Sequence, residues 1–174
     1  MQAQSGDREA LDRLLQAIQV RLHGYLVSLV HDDHLAMDLL QEVFVIVIQK
    51  LRWLQEPDAF LAWVYRIASR QALRALKRRR RMADSHESDL LSKAMESEPA
   101  EEVLDAEMID RIPALLEEVS PASRIVLSLH YLQEMTLQEV ASVLEIPIGT
   151  TKARLAYGLR VLRKRLIEGS SPQP

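Results

Sequence analysis

Leu11, Leu14, Leu15, Ile18, Leu22, Tyr25, Leu26 and Leu29 recur at the intervals that put apolar side chains on one face of a helix. The polar run His31-Asp32-Asp33-His34 interrupts the rhythm and is expected to be a loop. Helix resumes from Ala36 to Leu51, with Leu39, Leu40, Val43, Phe44, Val47, Ile48 and Leu51 as its stripe. Val45 and Ile46 lie outside that stripe, which predicts a helix covered on more than one side. Pro57 marks a break, with Asp58 just after it as a candidate cap. A third helix is expected from about Phe60 to Arg81. Phe60, Trp63, Val64 and Ile67 begin its buried face, and Arg66, Arg70, Arg74, Lys77, Arg78 and Arg81 run beside them. Three such helices can bury one shared core.

The rhythm weakens over 83–103, where Asp84, Glu87, Asp89, Glu96, Glu98, Glu101 and Glu102 alternate with serines. Such a stretch has too little apolar surface to fold alone and predicts a linker at 83–112, at least partly disordered. Helix is expected again around Ala106 to Glu118, with a kink near Pro113. Ser120-Pro121 has the form of a cap followed by a first-turn proline, opening a helix through Ile125, Val126, Leu129 and Leu132. Thr136 and Glu139 have capping-box spacing, and Leu137, Val140, Ala141 and Leu144 are predicted to face inward. Glu145-Ile146-Pro147 then breaks the chain before a last helix from about Gly149 to Ile167, with Leu155, Leu159, Leu162 and Leu166 on one side. A short capped helix, a tight break and a basic helix form the helix-turn-helix layout, whose second helix enters the major groove of DNA. The expected fold is all-α. It has a three-to-four-helix domain at 1–82, the linker, a helix-turn-helix domain at 113–168 and a disordered tail at 169–174.

Charge sharpens this picture. The 174 residues carry a net charge of only -3, but residues 60–82 hold 8 basic side chains and no acid, and residues 147–167 hold 6 and none. Residues 84–118 between them hold 12 acids against 2 bases. Phosphate backbones attract such basic blocks. With no cysteine there is neither a disulfide framework nor a thiolate ligand. No apolar run long enough for a bilayer and no secretion-signal layout at Met1–Asp7 is present, so a cytoplasmic protein without membrane insertion is expected. The sequence lacks a nucleophile elbow, a glycine-rich phosphate loop and a HExxH zinc motif, so neither catalysis nor a cofactor is expected. The histidines and aspartates at 31–34 fit a polar corner better than a metal cluster. His130, beside Tyr131, fits a packed helix residue better than a general base.

Several segments together resemble the bacterial RNA polymerase sigma factors, in particular the short extracytoplasmic-function group. Ala36-Met37-Asp38-Leu39-Leu40-Gln41-Glu42-Val43-Phe44 is similar to the family helix that docks on the polymerase clamp. Phe60-Leu61-Ala62-Trp63-Val64-Tyr65-Arg66-Ile67-Ala68 and the basic run Lys77 to Arg81 resemble the segment that engages and melts the minus-ten element. Ser123 to Leu127, Thr136 to Leu144 and Ile146 to Leu155 resemble the domain that reads the minus-thirty-five element. The resemblance implies core RNA polymerase and promoter DNA as partners, and an anti-sigma factor as a regulator.

It also implies roles by position. Asp38, Gln41 and Glu42 share one polar helix edge that would meet the polymerase, with Val43 and Phe44 adding apolar contacts. Trp63 has the spacing of a core residue; Tyr65 falls off that face and is expected to stack on an unpaired base. Arg66, Arg70, Arg74, Lys77, Arg78, Arg79, Arg80 and Arg81 are the expected minus-ten contacts. Thr150, Thr151, Lys152, Arg154 and Tyr157 are those of the helix-turn-helix. The acidic linker would thread polymerase channels otherwise used by nucleic acid. Arg70 and Arg74 stand where the family commonly has Asn and Asp, and Tyr157-Gly158-Leu159 where it often has Arg, Ala and Arg. Glu145 stands where the turn often has Gly. A rival function is a stand-alone helix-turn-helix regulator with a sensing or dimerising domain at 1–82. It leaves the Asp38–Phe44 helix and the Lys77–Arg81 run without a joint purpose.

Overall fold

The computed structural model describes residues 2–83 and 112–169, and every regular element among them is helical. The expected linker between them, the helix start at Ala106, the tail from 170 and the side chain of Leu166 lie outside the described residues. The chain divides into two compact units, Met1–Arg79 and Arg80–Pro174.

The first unit is built on α1 (Arg8–Val30), α2 (Asp33–Lys50) and α3 (Phe60–Ala83), whose last turn continues past the unit boundary. The Asp7 carboxylate opens α1 by accepting from the Ala10 amide at 3.1 Å. The polar run 31–34 makes a tighter corner than a loop. His31 closes α1 in the left-handed region (φ 50°), and Asp32 opens α2 by accepting from the Leu35 amide at 3.1 Å. Asp58 sits inside a tight turn, Pro57–Ala59, that runs straight into α3. Ile18, Leu22, Tyr25, Leu26 and Leu29 of α1 are buried, as are Leu39, Leu40, Val43 and Val47 of α2 and Val64, Ala68 and Ala72 of α3.

One polar chain crosses this apolar interior. The Ser69 hydroxyl donates to the Tyr65 carbonyl at 2.6 Å, which leaves its oxygen to accept from the Tyr25 hydroxyl at 2.7 Å. Burial pushes the Tyr25 phenol above its usual range, so it stays a donor at any pH where the protein functions. Tyr25 and Tyr65 also meet edge to face, 5.1 Å between ring centroids.

The second unit begins with a helical turn over 112–115 and a tight turn, Leu116–Glu118. It continues through α4 (Pro121–Leu127), a wider coil at Ser128–Leu132, α5 (Leu137–Leu144) and α6 (Ile148–Gly169). Ile112, Leu116, Val119, Leu127, Leu159 and Leu162 form its core. On α5, Val140 and Val143 are fully buried, whereas Leu137, Ala141 and Leu144 are only partly so. Ser120 caps α4 as its sequence predicts, accepting from the Ser123 amide at 3.4 Å.

The capping box of α5 is complete: Thr136 accepts from the Glu139 amide at 3.3 Å, and the Thr136 amide and hydroxyl each donate to Glu139 at 2.7 Å. Those two donors hold the Glu139 carboxyl below its usual range. A depressed carboxyl stabilises the fold above its unfolded value and loses that contribution as pH falls through the folded one. The melting temperature of the wild type is therefore expected to fall more steeply than that of Glu139→Gln as pH drops below about 4. Parallel melting curves for the two proteins would refute this.

Gly158 is fixed by packing rather than by backbone conformation. A β-carbon there would lie 2.7 Å from Leu127 Cδ1 and 3.2 Å from Leu127 Cγ, in a fully buried crossing of α4 over α6. Alanine would raise helix propensity by about 1 kcal/mol but overpack the crossing by about 1–3 kcal/mol. Gly158→Ala is thus expected to lower the urea midpoint of the chain; a raised midpoint would show that Leu127 can step aside.

Candidate docking groove and nucleic-acid interfaces

Asp38, Gln41 and Glu42 are all exposed along one edge of α2, as helical spacing requires. They line an open groove of about 600 Å³ together with Val45, Ile46 and, from α3, Gln71. Two apolar docking residues expected from the sequence fare differently. Val43 is completely buried and faces the interior of the first unit, so it cannot touch a partner; Phe44 is partly buried. Exposed apolar surface comes instead from Met37, Val45 and Ile48, which are 39%, 52% and 50% exposed and share a stripe with Gln41. The second apolar side expected of this helix exists and is only partly covered: Val45 is exposed and Ile46 partly buried. Gln71 bridges the groove to the basic helix: its amide donates to Glu42 Oε2 at 3.3 Å and its carbonyl accepts from Arg74 at 3.3 Å.

On α3, Tyr65 is 3% exposed, which removes it as a base contact. The buried face is centred on Val64, Ala68 and Ala72, with Tyr65 and Ser69 beside them. Trp63 and Ile67, chosen from the sequence as core, sit at the partly buried margin. Small residues make up much of this buried face, and a pattern weighted toward large apolar side chains rotates the face away from them. Arg66 is partly exposed; Arg70, Arg74, Lys77, Arg78, Arg79, Arg80 and Arg81 are exposed. Arg66, Arg70, Arg74, Lys77 and Arg81 follow one helical row. Arg79 reaches Asp32 at the α1–α2 corner, 3.7 Å away. Trp53, an aromatic residue that the sequence pattern passed over, is 61% exposed, with the Arg52 guanidinium 3.9 Å from its ring centroid.

In the second unit, α5, the break at Glu145 and α6 form the helix-turn-helix. Glu145 occupies the left-handed region (φ 55°) that glycine adopts without strain, and the turn is closed by Glu145 and Ile146 amides on Ser142 and Ala141 carbonyls. Thr151 is completely buried and its hydroxyl donates to the Pro147 carbonyl at 3.3 Å, so it locks the first turn of α6 instead of facing DNA. Thr150, Lys152, Arg154 and Tyr157 remain partly exposed. Burial lowers the Arg154 guanidinium from its usual value, the mark of a charge held close to the protein surface. Arg160 lies 5.4 Å from the Tyr157 ring centroid and extends the cationic surface, whereas Arg165 is paired with Glu118 at 2.9 Å.

Among the described residues no group of three potential ligands could hold a metal ion. His130 is held to the Met135 carbonyl through Nδ1 at 2.7 Å and packs edge-on against Tyr131. No described helix is long and apolar enough to cross a membrane.

A helix-turn-helix in one unit, with an arginine-lined helix beside an acid-rimmed groove in the other, defines a DNA-binding protein. Comparison with known proteins identifies which. Residues 14–82 match the Sigma-70 region 2 model and residues 115–164 the Sigma-70 region 4 model. The RNA polymerase sigma-H factor of Pseudomonas aeruginosa is 30% identical over 173 residues, covering 94% of this chain and 89% of that protein. The ECF RNA polymerase sigma factor SigW of Bacillus subtilis is 24% identical, covering 95% and 93%. CnrH, solved in complex with the cytosolic domain of CnrY, shares the fold at a TM-score of 0.68 and 24% identity, covering 98% of this chain and 95% of that one. The sigma factor RpoE of Bartonella quintana, solved with the anti-sigma factor NepR, has the same TM-score at 19% identity, covering 94% and 99%. The chain belongs to the sigma-70 family of RNA polymerase sigma factors, in its extracytoplasmic-function group. It directs RNA polymerase to promoters in transcription initiation.

Proposed function

We propose that the two units share this task as follows. The α2 groove, with Asp38, Gln41, Glu42 and Phe44 joined by Val45 and Ile48, grips core RNA polymerase. Arg66, Arg70, Arg74, Lys77 and Arg78 to Arg81 hold the strands around the minus-ten element, chiefly through phosphates. Thr150, Lys152, Arg154 and Tyr157 present α6 to the minus-thirty-five element, where an arginine can fork onto guanine. Residues 1–82 and 113–168 act as the two domains, and the acidic stretch between them is the tether that lets two modest DNA contacts act together. Bond-making chemistry belongs to the polymerase, with this chain acting in the cytoplasm as its non-enzymatic specificity subunit. Since CnrH and RpoE were solved with CnrY and NepR, an anti-sigma protein that masks such surfaces is the regulator we propose here too.

One observation carries this scheme: an apolar groove rimmed by acids lies in the same unit as an exposed arginine row. A stand-alone regulator has use for only the second. The test is transcription reconstituted from core polymerase, the purified chain and genomic fragments, with start sites mapped. Initiation at defined sites that requires the chain is expected. Absence of specific initiation on every fragment, or promoter binding by the free chain that core polymerase does not strengthen, would refute it.

A further inference from the structure

We propose that Gln71 is a positioning residue that keeps the docking groove and the arginine row from neutralising each other. The inference rests on the proposed sharing of tasks, in which Glu42 serves core polymerase and Arg74 the promoter strands. Both side chains are exposed and of opposite charge, one on α2 and the other on α3. Without a group between them, the flexible Arg74 side chain would fold onto the Glu42 carboxylate, and each would lose the charge it offers a partner. Gln71, partly buried on α3, occupies that place. Its amide nitrogen donates to Glu42 Oε2 at 3.3 Å, and its carbonyl oxygen accepts from Arg74 Nη1 at 3.3 Å.

A carboxamide suits this position because it carries a donor and an acceptor and no net charge. It satisfies an anion on one side and a cation on the other without discharging either. Leucine offers neither bond, glutamate could serve only the guanidinium, and lysine only the carboxylate. Both bonds lie at the long end of the hydrogen-bond range, so they orient the two ends without holding them tightly. Glu42 keeps its second oxygen for a cation of the polymerase, and Arg74 the rest of its guanidinium for a phosphate.

The experiment is a double-mutant cycle on the full chain, read as its affinity for core polymerase at low salt. Gln71→Leu is expected to weaken that affinity about three- to fivefold, the strength of an exposed ion pair that the polymerase must then break. Gln71→Met, of similar length and also without the amide, should lose as much. Both losses should shrink as salt rises. In an Arg74→Ala background Gln71→Leu should change the affinity by less than about twofold, because no guanidinium is left to fold onto Glu42. An equal loss in the two backgrounds, the mark of a direct polymerase contact or a damaged fold, would overturn the proposal. So would an unchanged affinity for Gln71→Leu or full affinity for Gln71→Met. A wild-type chain that does not bind core polymerase defeats the docking scheme first, and this inference falls with it; binding with equal losses defeats this inference alone.

Discussion

Replacing Arg124 with methionine is expected to lower the stability of the second unit by about 3 kcal/mol. The Arg124 side chain leaves α4 and donates through Nη2 to the carbonyls of Glu117 and Val119, at 2.9 Å and 3.1 Å. Those carbonyls end the segment that brings Ile112, Leu116 and Val119 into the core. The residue is 7% exposed, and burial pulls its guanidinium below the usual value while Glu117 opposes that shift. Methionine keeps much of the volume but strands the buried Val119 carbonyl and the part-buried Glu117 carbonyl, which costs more than the net value of the bonds it removes. Urea unfolding of the full chain measures the loss, and Arg124→Lys should recover part of it. A loss below about 1 kcal/mol would mean that water or a neighbour satisfies the carbonyls.

Placing a carboxylate in the α2 groove is the second large effect. Val45→Glu is expected to weaken core-polymerase binding at least tenfold, about 1.4 kcal/mol or more, because it buries charge in the apolar centre of the proposed contact. Reversing the rim with Asp38→Lys and Glu42→Lys should also weaken binding, and that loss should shrink as salt rises. Neither change should alter DNA binding by the helix-turn-helix. Val43→Ala is the contrast: it should cost stability through a cavity and leave the core affinity of the folded protein intact. Titration of labelled protein with core polymerase reads all of these. Unchanged affinity for Val45→Glu would remove the groove from the docking face.

Most of the fold was legible because its stripes are long and its caps local. Ile18, Leu22, Tyr25, Leu26 and Leu29 are buried as their spacing predicts, and the Thr136–Glu139 box closes as its sequence implies. What misled was the rotation of α3. Alanine and serine carry no weight in a hydrophobic pattern, yet Ala68, Ser69 and Ala72 are fully buried, and the face they centre turns Tyr65 inward. Thr151 departs from its expected place for a related reason: a hydroxyl that can satisfy a carbonyl one turn back is at home inside a helix pair. Val43 belonged to the apolar stripe from the start, and its docking role came only from its place within a family motif. Val45 and Ile46 had been visible as apolar positions off that stripe; which side of α2 stays open is a tertiary fact that periodicity does not carry. Trp53 left no periodic signal because it sits on a turn. Gly158 reads as a weak helix former until the crossing with Leu127 is seen.

The Asp32–Arg79 contact bears on how binding responds to ionic strength. Asp32 already offers Arg79 an anion, so a phosphate arriving there displaces a fixed carboxylate instead of adding a new ion pair. That exchange drives off a DNA-bound cation but leaves a bare carboxylate that draws one back. Arg79 should therefore contribute less than its neighbours to the slope of log affinity against log salt, and Asp32→Asn should steepen it.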